Sequence, residues 1–139
     1  MSLAPGLVGQ LERRVEPQHT AQHLGSGSVQ VLATPTMILW MEEAGVLATT
    51  DALAPGQATV GALVNVRHLA PTPVGMMVRV RAELVAVEGR RLVFRVRAED
   101  EREVVGEGDH ERFVIDLARF QARIASKGQP PSPSGGGAG

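Results

Sequence analysis

The chain has 139 residues, 43% of them apolar, and a formal net charge of −1 at pH 7, the size and balance of one ordinary globular domain. It has no cysteine, which excludes disulfides, thiolate metal sites and a cysteine nucleophile. Aromatic residues make up 3% and the arginines are scattered, unlike the basic stripe and stacking rings of a nucleic-acid binder. No apolar run is long enough for a signal peptide or a bilayer span, so no membrane partner is expected and the expected location is the cytoplasm.

In chain order, Leu7, Gly9 and Leu11 alternate with Val8 and Gln10 and predict a short first strand. Residues 17–30, PQHTAQHLGSGSVQ, read as loop, with Gly25, Ser26, Gly27 and Ser28 in succession. A helix is predicted from Thr34 as N-cap, with Pro35 at the first helical position, where its missing N–H costs nothing. Met37, Met41, Ala44 and Ala48 share one face of that helix, Ile38 and Gly45 flank them, and Glu42 and Glu43 stand beside the stripe. The helix should end before residues 51–56, where Pro55-Gly56 marks a turn.

Everything downstream alternates with a period of two. Val60, Ala62, Val64 and Val66 form one run; Val78, Val80, Ala82 and Leu84 the next; Leu92, Phe94 and Val96 a third. A fourth run, 104–115, is interrupted by Gly106 and Gly108. Turns are predicted at 71–75, 88–89 and 100–102. Asp116 can cap a final helix on which Leu117, Phe120 and Ile124 share a face. The reading is one domain over 1–127 and a disordered Pro/Ser/Gly-rich tail over 128–139. One helix against an antiparallel meander is an α+β layer arrangement. A single helix cannot cover such a sheet, and edge-to-edge pairing of two subunits, a homodimer, is the usual remedy.

Three stretches carry groups with chemistry, and each also has an ordinary structural explanation. Thr34 and Glu42 lie about two turns apart on the helix; Thr34 can simply cap it, and Glu42 can be a solvated acid, although its neighbours one turn away, Ile38 and Gly45, are uncharged. His68 closes a strand ahead of Leu69-Ala70-Pro71-Thr72-Pro73, where a lone histidine is usually structural. Asp109-His110-Glu111-Arg112 sits in an apolar alternation and reads most simply as a solvent face. No metal-ligand spacing, nucleophile elbow or phosphate loop is present.

Taken together, these segments resemble one family. Its marks are Pro17-Gln18-His19-Thr20-Ala21-Gln22-His23-Leu24; Ala33-Thr34 followed by Met41-Glu42; Gly61 seven residues before His68; Ala70-x-Thr72-Pro73-x-Gly75; Ala82-Glu83-Leu84; Val87-Glu88-Gly89-Arg90-Arg91-Leu92; and His110-Glu111-Arg112. Over Val15 to Arg123 the chain resembles the fluoroacetyl-CoA thioesterases and their hotdog-fold relatives. The resemblance implies a hotdog fold, in which a curved antiparallel sheet wraps a central helix. It implies an acyl-CoA substrate, with coenzyme A as part of that substrate and no further cofactor or metal. By the same resemblance Thr34, Glu42 and His68 are catalytic, Gly61 helps to hold the thioester oxygen, and Arg112 sits near the pocket. The fluoroacetyl-specific enzyme has Phe residues just before its threonine; here the stretch is Val29-Gln30-Val31-Leu32, so selectivity for the fluorinated ester is not expected.

The chemistry stands on general grounds as well. A thioester carbonyl needs a nucleophile, a proton acceptor and donors for the developing oxyanion. Glu42 could activate water or attack directly, His68 could move protons near neutral pH, and Thr34 could orient the carboxylate or attack. Two competing readings are a non-catalytic acyl-CoA binding protein and a hotdog-fold acyl-CoA hydratase. The second requires an Asp-to-His motif at the helix start, where this chain has Thr34-Pro35-Thr36. Convergence of Thr34, Glu42 and His68 in a pocket favours an enzyme over a binder.

Overall fold

The computed structural model describes residues 2–130. Strand β1 (Val8–Arg14) is followed by a 3-10 turn at Pro17–His19 and the one-turn helix α1 (Ala21–Leu24). Helix α2 (Thr34–Thr49) comes next, then strands β2 (Gln57–His68), β3 (Met77–Glu88), β4 (Arg91–Glu99) and β5 (Val104–Asp116), and helix α3 (Leu117–Gly128). The strands form a single five-stranded antiparallel sheet in the order β1-β3-β4-β5-β2. Strands β1 and β2 are its edges. The sheet packs on α2, in the hotdog arrangement that the resemblance implies.

Helix α2 is central because its apolar face matches the concave side of the sheet. Met37, Met41, Ala44 and Ala48 are all buried, as their shared face predicts, against Val78, Val80, Ala82, Leu84, Leu92 and Phe94. Gly9 lets the helix approach β1 closely: a Cβ there would collide with the backbone of Ala44 and Ala48. On the convex side the alternate residues carry charge, with ion pairs Arg79–Glu12 at 3.5 Å, Arg95–Asp109 at 2.7 Å and Arg91–Glu111 at 2.7 Å.

Several expectations change. Thr34 does not cap α2: the N-cap is Ala33, without a side-chain cap bond, and Thr34 is the first helical residue. Its hydroxyl is thereby released for other use. Residues 17–30 are not simply loop. Thr20 caps α1 by accepting from the His23 N–H at 3.2 Å, and Gly25 ends it in the left-handed conformation, which favours glycine. Strand β5 runs unbroken through Gly106 and Gly108. The alternation of β2 is lost at a bulge between Gly61 and Leu63. Helix α3 is capped as predicted, the Asp116 carboxylate accepting from Arg119 N–H at 3.1 Å, and it runs through Gly128, into the stretch assigned to the tail. Of the rest of that tail, Gln129 caps α3 and 131–139 lie outside the described residues.

Candidate functional site

Helix α2 and strand β2 run in opposite senses, so the start of the helix meets the end of the strand and the middle of the helix meets its first half. Each meeting point holds a polar cluster. At the first, Thr34 Oγ1 lies 2.7 Å from His68 Nδ1. Burial holds the His68 pKa below its usual value, with the backbone of Ala70 pulling the other way, so the imidazole is neutral at neutral pH and available as a proton acceptor. Its Nε2 is buried with no hydrogen-bond partner among the described residues. An open groove of about 340 Å³ lies beside this pair, lined by Ala21, Ser26, Val31, Leu32, Leu69, Ala70 and Pro71.

At the second meeting point, Glu42 Oε2 lies 3.5 Å from Arg112 Nη1, and a Cβ on Gly61 would come within 2.7 Å of the same carboxylate oxygen. Gly61 therefore leaves room for that carboxylate oxygen, and no turn calls for a glycine there. The Arg112 guanidinium is buried yet well partnered: Nε donates to Thr59 Oγ1 at 2.9 Å and Nη2 to the Thr59 carbonyl at 3.1 Å. Burial lowers its pKa and Glu42 opposes that shift; a guanidinium stays charged at neutral pH regardless.

The stretch Asp109–Arg112 is not a uniform solvent face. Its members alternate between the two sides of the sheet: Asp109 and Glu111 form ion pairs on the convex face, and His110 and Arg112 are buried against α2. Sequence reasoning left His110 without a role. Its Nδ1 lies 2.8 Å from the Leu63 carbonyl, which only accepts, and its Nε2 lies 3.2 Å from Arg112 Nη1, which only donates. Those partners fix the neutral Nδ1–H tautomer. Burial lowers the His110 pKa first, the Leu63 carbonyl opposes this, and the Arg112 charge lowers it further. His110 thus holds Arg112, and Arg112 faces Glu42.

A second omission is the scaffold behind Thr34. Thr72 is fully buried, and its hydroxyl donates to Asp100 Oδ2 at 3.0 Å. The other oxygen of Asp100 accepts from the backbone N–H groups of Arg102 and Glu103 at 2.8 and 3.0 Å. The Thr72 carbonyl accepts from Leu32 N–H at 2.8 Å, and the His19 carbonyl from Ala33 N–H at 2.9 Å. The two residues preceding Thr34 are thus tied to separate parts of the fold. His19 itself is locked: Nδ1 accepts from Glu16 N–H at 3.0 Å, and its ring packs edge-on against Trp40 at 5.1 Å. The signals were present in the sequence, as His19 and Thr72 within the family marks, but their contacts are all long-range or side chain to backbone.

The structure therefore brings Thr34 to His68, and Glu42 to Gly61 and Arg112, but it does not join the two groups within one chain. Eight helical residues separate Thr34 from Glu42, a rise of roughly 12 Å. No group of three His, Asp or Glu residues among the described residues is placed to hold a metal ion. None of their helices is long and apolar enough to cross a membrane.

Known proteins share this architecture. The chain superposes on the crystal structure of a fluoroacetyl-CoA thioesterase with a TM-score of 0.85 at 38% identity, covering 94% of this chain and 100% of that one. A thioesterase superfamily member from Thermus thermophilus matches with a TM-score of 0.83 at 32% identity, over 89% of this chain and 92% of that one. In sequence, the fluoroacetyl-CoA thioesterase of Streptantibioticus cattleyicolor is 43% identical over 119 residues, 81% of this chain and 86% of the relative. The family model described as fluoroacetyl-CoA-specific thioesterase matches residues 15–118, and the chain belongs to that thioesterase family.

Proposed function

We propose that this protein hydrolyses an acyl-CoA thioester to the free acid and coenzyme A, in a site completed by a second copy of the chain. The observation that carries this reading is the 2.7 Å contact of Thr34 with a neutral His68 beside an open, largely apolar groove. A non-catalytic binder has no use for a hydroxyl withdrawn from its capping role and set against an imidazole held below its usual pKa.

The homodimer follows from what one chain leaves uncovered. Edge strand β2 is exposed from Gly61 to Asn65, with Leu63 44% and Val64 40% accessible, and the outward side of α2 presents Leu39, Val46 and Leu47. An unpaired edge flanked by exposed leucines and valines is a surface for self-association. Antiparallel pairing of two β2 strands about an axis between Val64 and Asn65 sets Gly61 of one copy opposite His68 of the other. Glu42, beside Gly61, then faces the Thr34–His68 pair of the neighbouring chain. The separation within each chain becomes the reason for the dimer.

In this arrangement the thioester carbonyl sits over Thr34, its acyl group in the groove. The backbone N–H of Gly61 and the start of α2 offer positive ends to the developing oxyanion. Glu42 takes the proton of the attacking water or attacks the carbonyl itself. In the water route the proton held by Glu42 passes to the departing thiolate while neutral His68 holds the Thr34 hydroxyl; in the direct route the thiolate leaves and takes its proton from solvent, and a water then hydrolyses the glutamyl anhydride. Trapping with hydroxylamine during turnover separates the two routes, because direct attack by the carboxylate passes through a glutamyl anhydride and water activation does not. Release of free thiol from acyl-CoA esters tests the activity, and light scattering tests the assembly. A particle of only ~15 kDa, the mass of one chain, contradicts the shared site.

A further inference from the structure

We infer that His110 is a positioning residue of the hydrolysis: one buried imidazole sets both the guanidinium that directs Glu42 and the strand bulge that carries Gly61. The inference rests on the thioesterase reading and gives a part to a buried histidine that the reaction otherwise leaves unused. Each contact it invokes is made within one chain. His110 is 1% exposed. Phe94 of β4 stacks on its ring, with centroids 6.0 Å apart. Helix α2 passes over it at Gly45, where a Cβ would stand 3.6 Å from the ring Cδ2. The ring Nδ1–H donates to the Leu63 carbonyl at 2.8 Å, and Nε2 accepts from Arg112 Nη1 at 3.2 Å. A ring packed in this way cannot turn without stranding a buried polar group.

Its two partners are groups that the chemistry needs in place. Thr59 holds one edge of the Arg112 plane, through Nε and Nη2. The remaining corner, Nη1, touches His110 Nε2 at 3.2 Å and Glu42 Oε2 at 3.5 Å. The Glu42 side chain is 38% accessible, so its carboxylate has rotamers that face water, and the Nη1 charge favours the one beside Gly61. Without an acceptor at Nε2 the guanidinium is free to tilt about its Thr59 edge, and the carboxylate moves with it. At the other end of the ring, Leu63 closes the bulge that begins at Gly61, and bulges re-aim the groups next to them. Bonded to the Leu63 carbonyl, His110 fixes the Gly61 N–H relative to Glu42. Burial, opposed by the Leu63 carbonyl and reinforced by the Arg112 charge, keeps the imidazole neutral, the form that has an acceptor for Nη1.

Two substitutions separate the two bonds. His110→Asn keeps an amide N–H near Nδ1 for the Leu63 carbonyl and ends short of Arg112. His110→Gln carries an amide carbonyl out to the place of Nε2, where it accepts from Nη1, and gives up the bond to Leu63. The measurements are kcat and KM for release of CoA from acetyl-, butyryl- and hexanoyl-CoA, with melting followed by circular dichroism, for each variant alone and combined with Glu42→Gln. His110→Asn should lower kcat by about 100-fold, the cost of moving a reacting group by near 1 Å, while KM changes by less than about threefold. In the Glu42→Gln background the same substitution should cost less than about threefold, because the carboxylate that it misplaces is already gone. His110→Gln should recover most of the loss, leaving kcat about threefold to tenfold below wild type through the freed bulge. An equal cost of His110→Asn in both backgrounds overturns the inference. So does a His110→Gln enzyme no more active than His110→Asn, or a melting temperature that falls while kcat holds. Should His110→Asn not fold, His110→Gln decides by itself: a kcat about threefold or more below wild type at unchanged KM supports the inference, and wild-type kcat overturns it. Release of CoA from none of the esters by the wild-type protein defeats the thioesterase reading itself, and the inference with it.

Discussion

The two polar clusters on α2 are built in opposite ways. Around Glu42, every partner comes from the sheet. Arg112 is gripped by Thr59 and His110, and His110 by the Leu63 carbonyl, so the guanidinium has one position and no freedom to seek water. Around Thr34, one hydrogen bond joins a helix start to a strand end, and the approach to it runs through loops tied down at Thr72 and His19. The first cluster is a rigid electrostatic fixture; the second is an adjustable contact at the edge of a groove. This division suits a hydrolase, since charge stabilisation needs preorganised groups and substrate entry needs a place that can yield.

The largest effect should come from removing the charge at the rigid cluster. Glu42→Gln preserves shape and should lower turnover by about 10²–10⁴-fold, the usual contribution of a general base. Glu43→Gln, about 100° further round the helix, should matter far less. Steady-state hydrolysis by both variants decides this, and equal losses would mean that the wrong carboxylate has been assigned.

A geometric perturbation of the same cluster should rank next. In Gly61→Ala the new Cβ meets Glu42 Oε2 at 2.7 Å, the far end of a flexible side chain, so the fold should tolerate it and the carboxylate should move. A displacement near 1 Å of a catalytic group costs about 10²-fold. Activity should fall by that order while the melting temperature holds; a parallel collapse of both would make Gly61 purely structural.

The adjustable cluster is best probed through its tether. Thr72→Val removes the donor to Asp100 and leaves the rest of the side chain's volume. Leaving the Asp100 carboxylate without this partner should cost about 1–3 kcal/mol of stability. If the tether also positions Thr34, kcat should fall while KM changes little, and Asp100→Asn should restore neither. A stability loss with unchanged kcat would confine the pair to holding the fold.

The smallest and most general effect is on pH dependence. His68 and His110 both have folded-state pKa values below the ordinary 6.5, chiefly through burial. As pH falls below about 6.5 the unfolded chain binds protons that the folded chain resists. Their stabilising contribution is therefore complete above that pH and declines beneath it. The melting temperature should drop on acidification from pH 7 to 5, and the rate should fall as well once His68 protonates, at a pH below that of a free imidazole. A rate independent of pH over that range would remove His68 from the mechanism.

Selectivity should separate this chain from its named relative. With Val29-Gln30-Val31-Leu32 ahead of Thr34, fluoroacetyl-CoA should show little advantage over acetyl-CoA in a paired assay, and a strong preference for the fluorinated ester would reverse that expectation.

Much of the fold is written locally. Alternation marks the strands from Val60 onward, the Met37–Ala48 stripe marks the helix and its buried face, and Asp116 marks the start of α3, because period and capping depend only on neighbours in the chain. Thr34, Glu42, His68, Gly61 and Arg112 could be named from spacing and family resemblance for the same reason. What tertiary structure decided is which of these groups meet. Thr34 lost its capping role because the chain enters the helix at Ala33, and its hydroxyl found His68, 34 residues away. Glu42 found Arg112 because the alternation of β5 turns His110 and Arg112 inward and Asp109 and Glu111 outward. A run of alternating charges reads the same in either register; only the packing of the sheet on α2 determines which side is buried, and a one-residue shift would exchange the buried face for the solvent face.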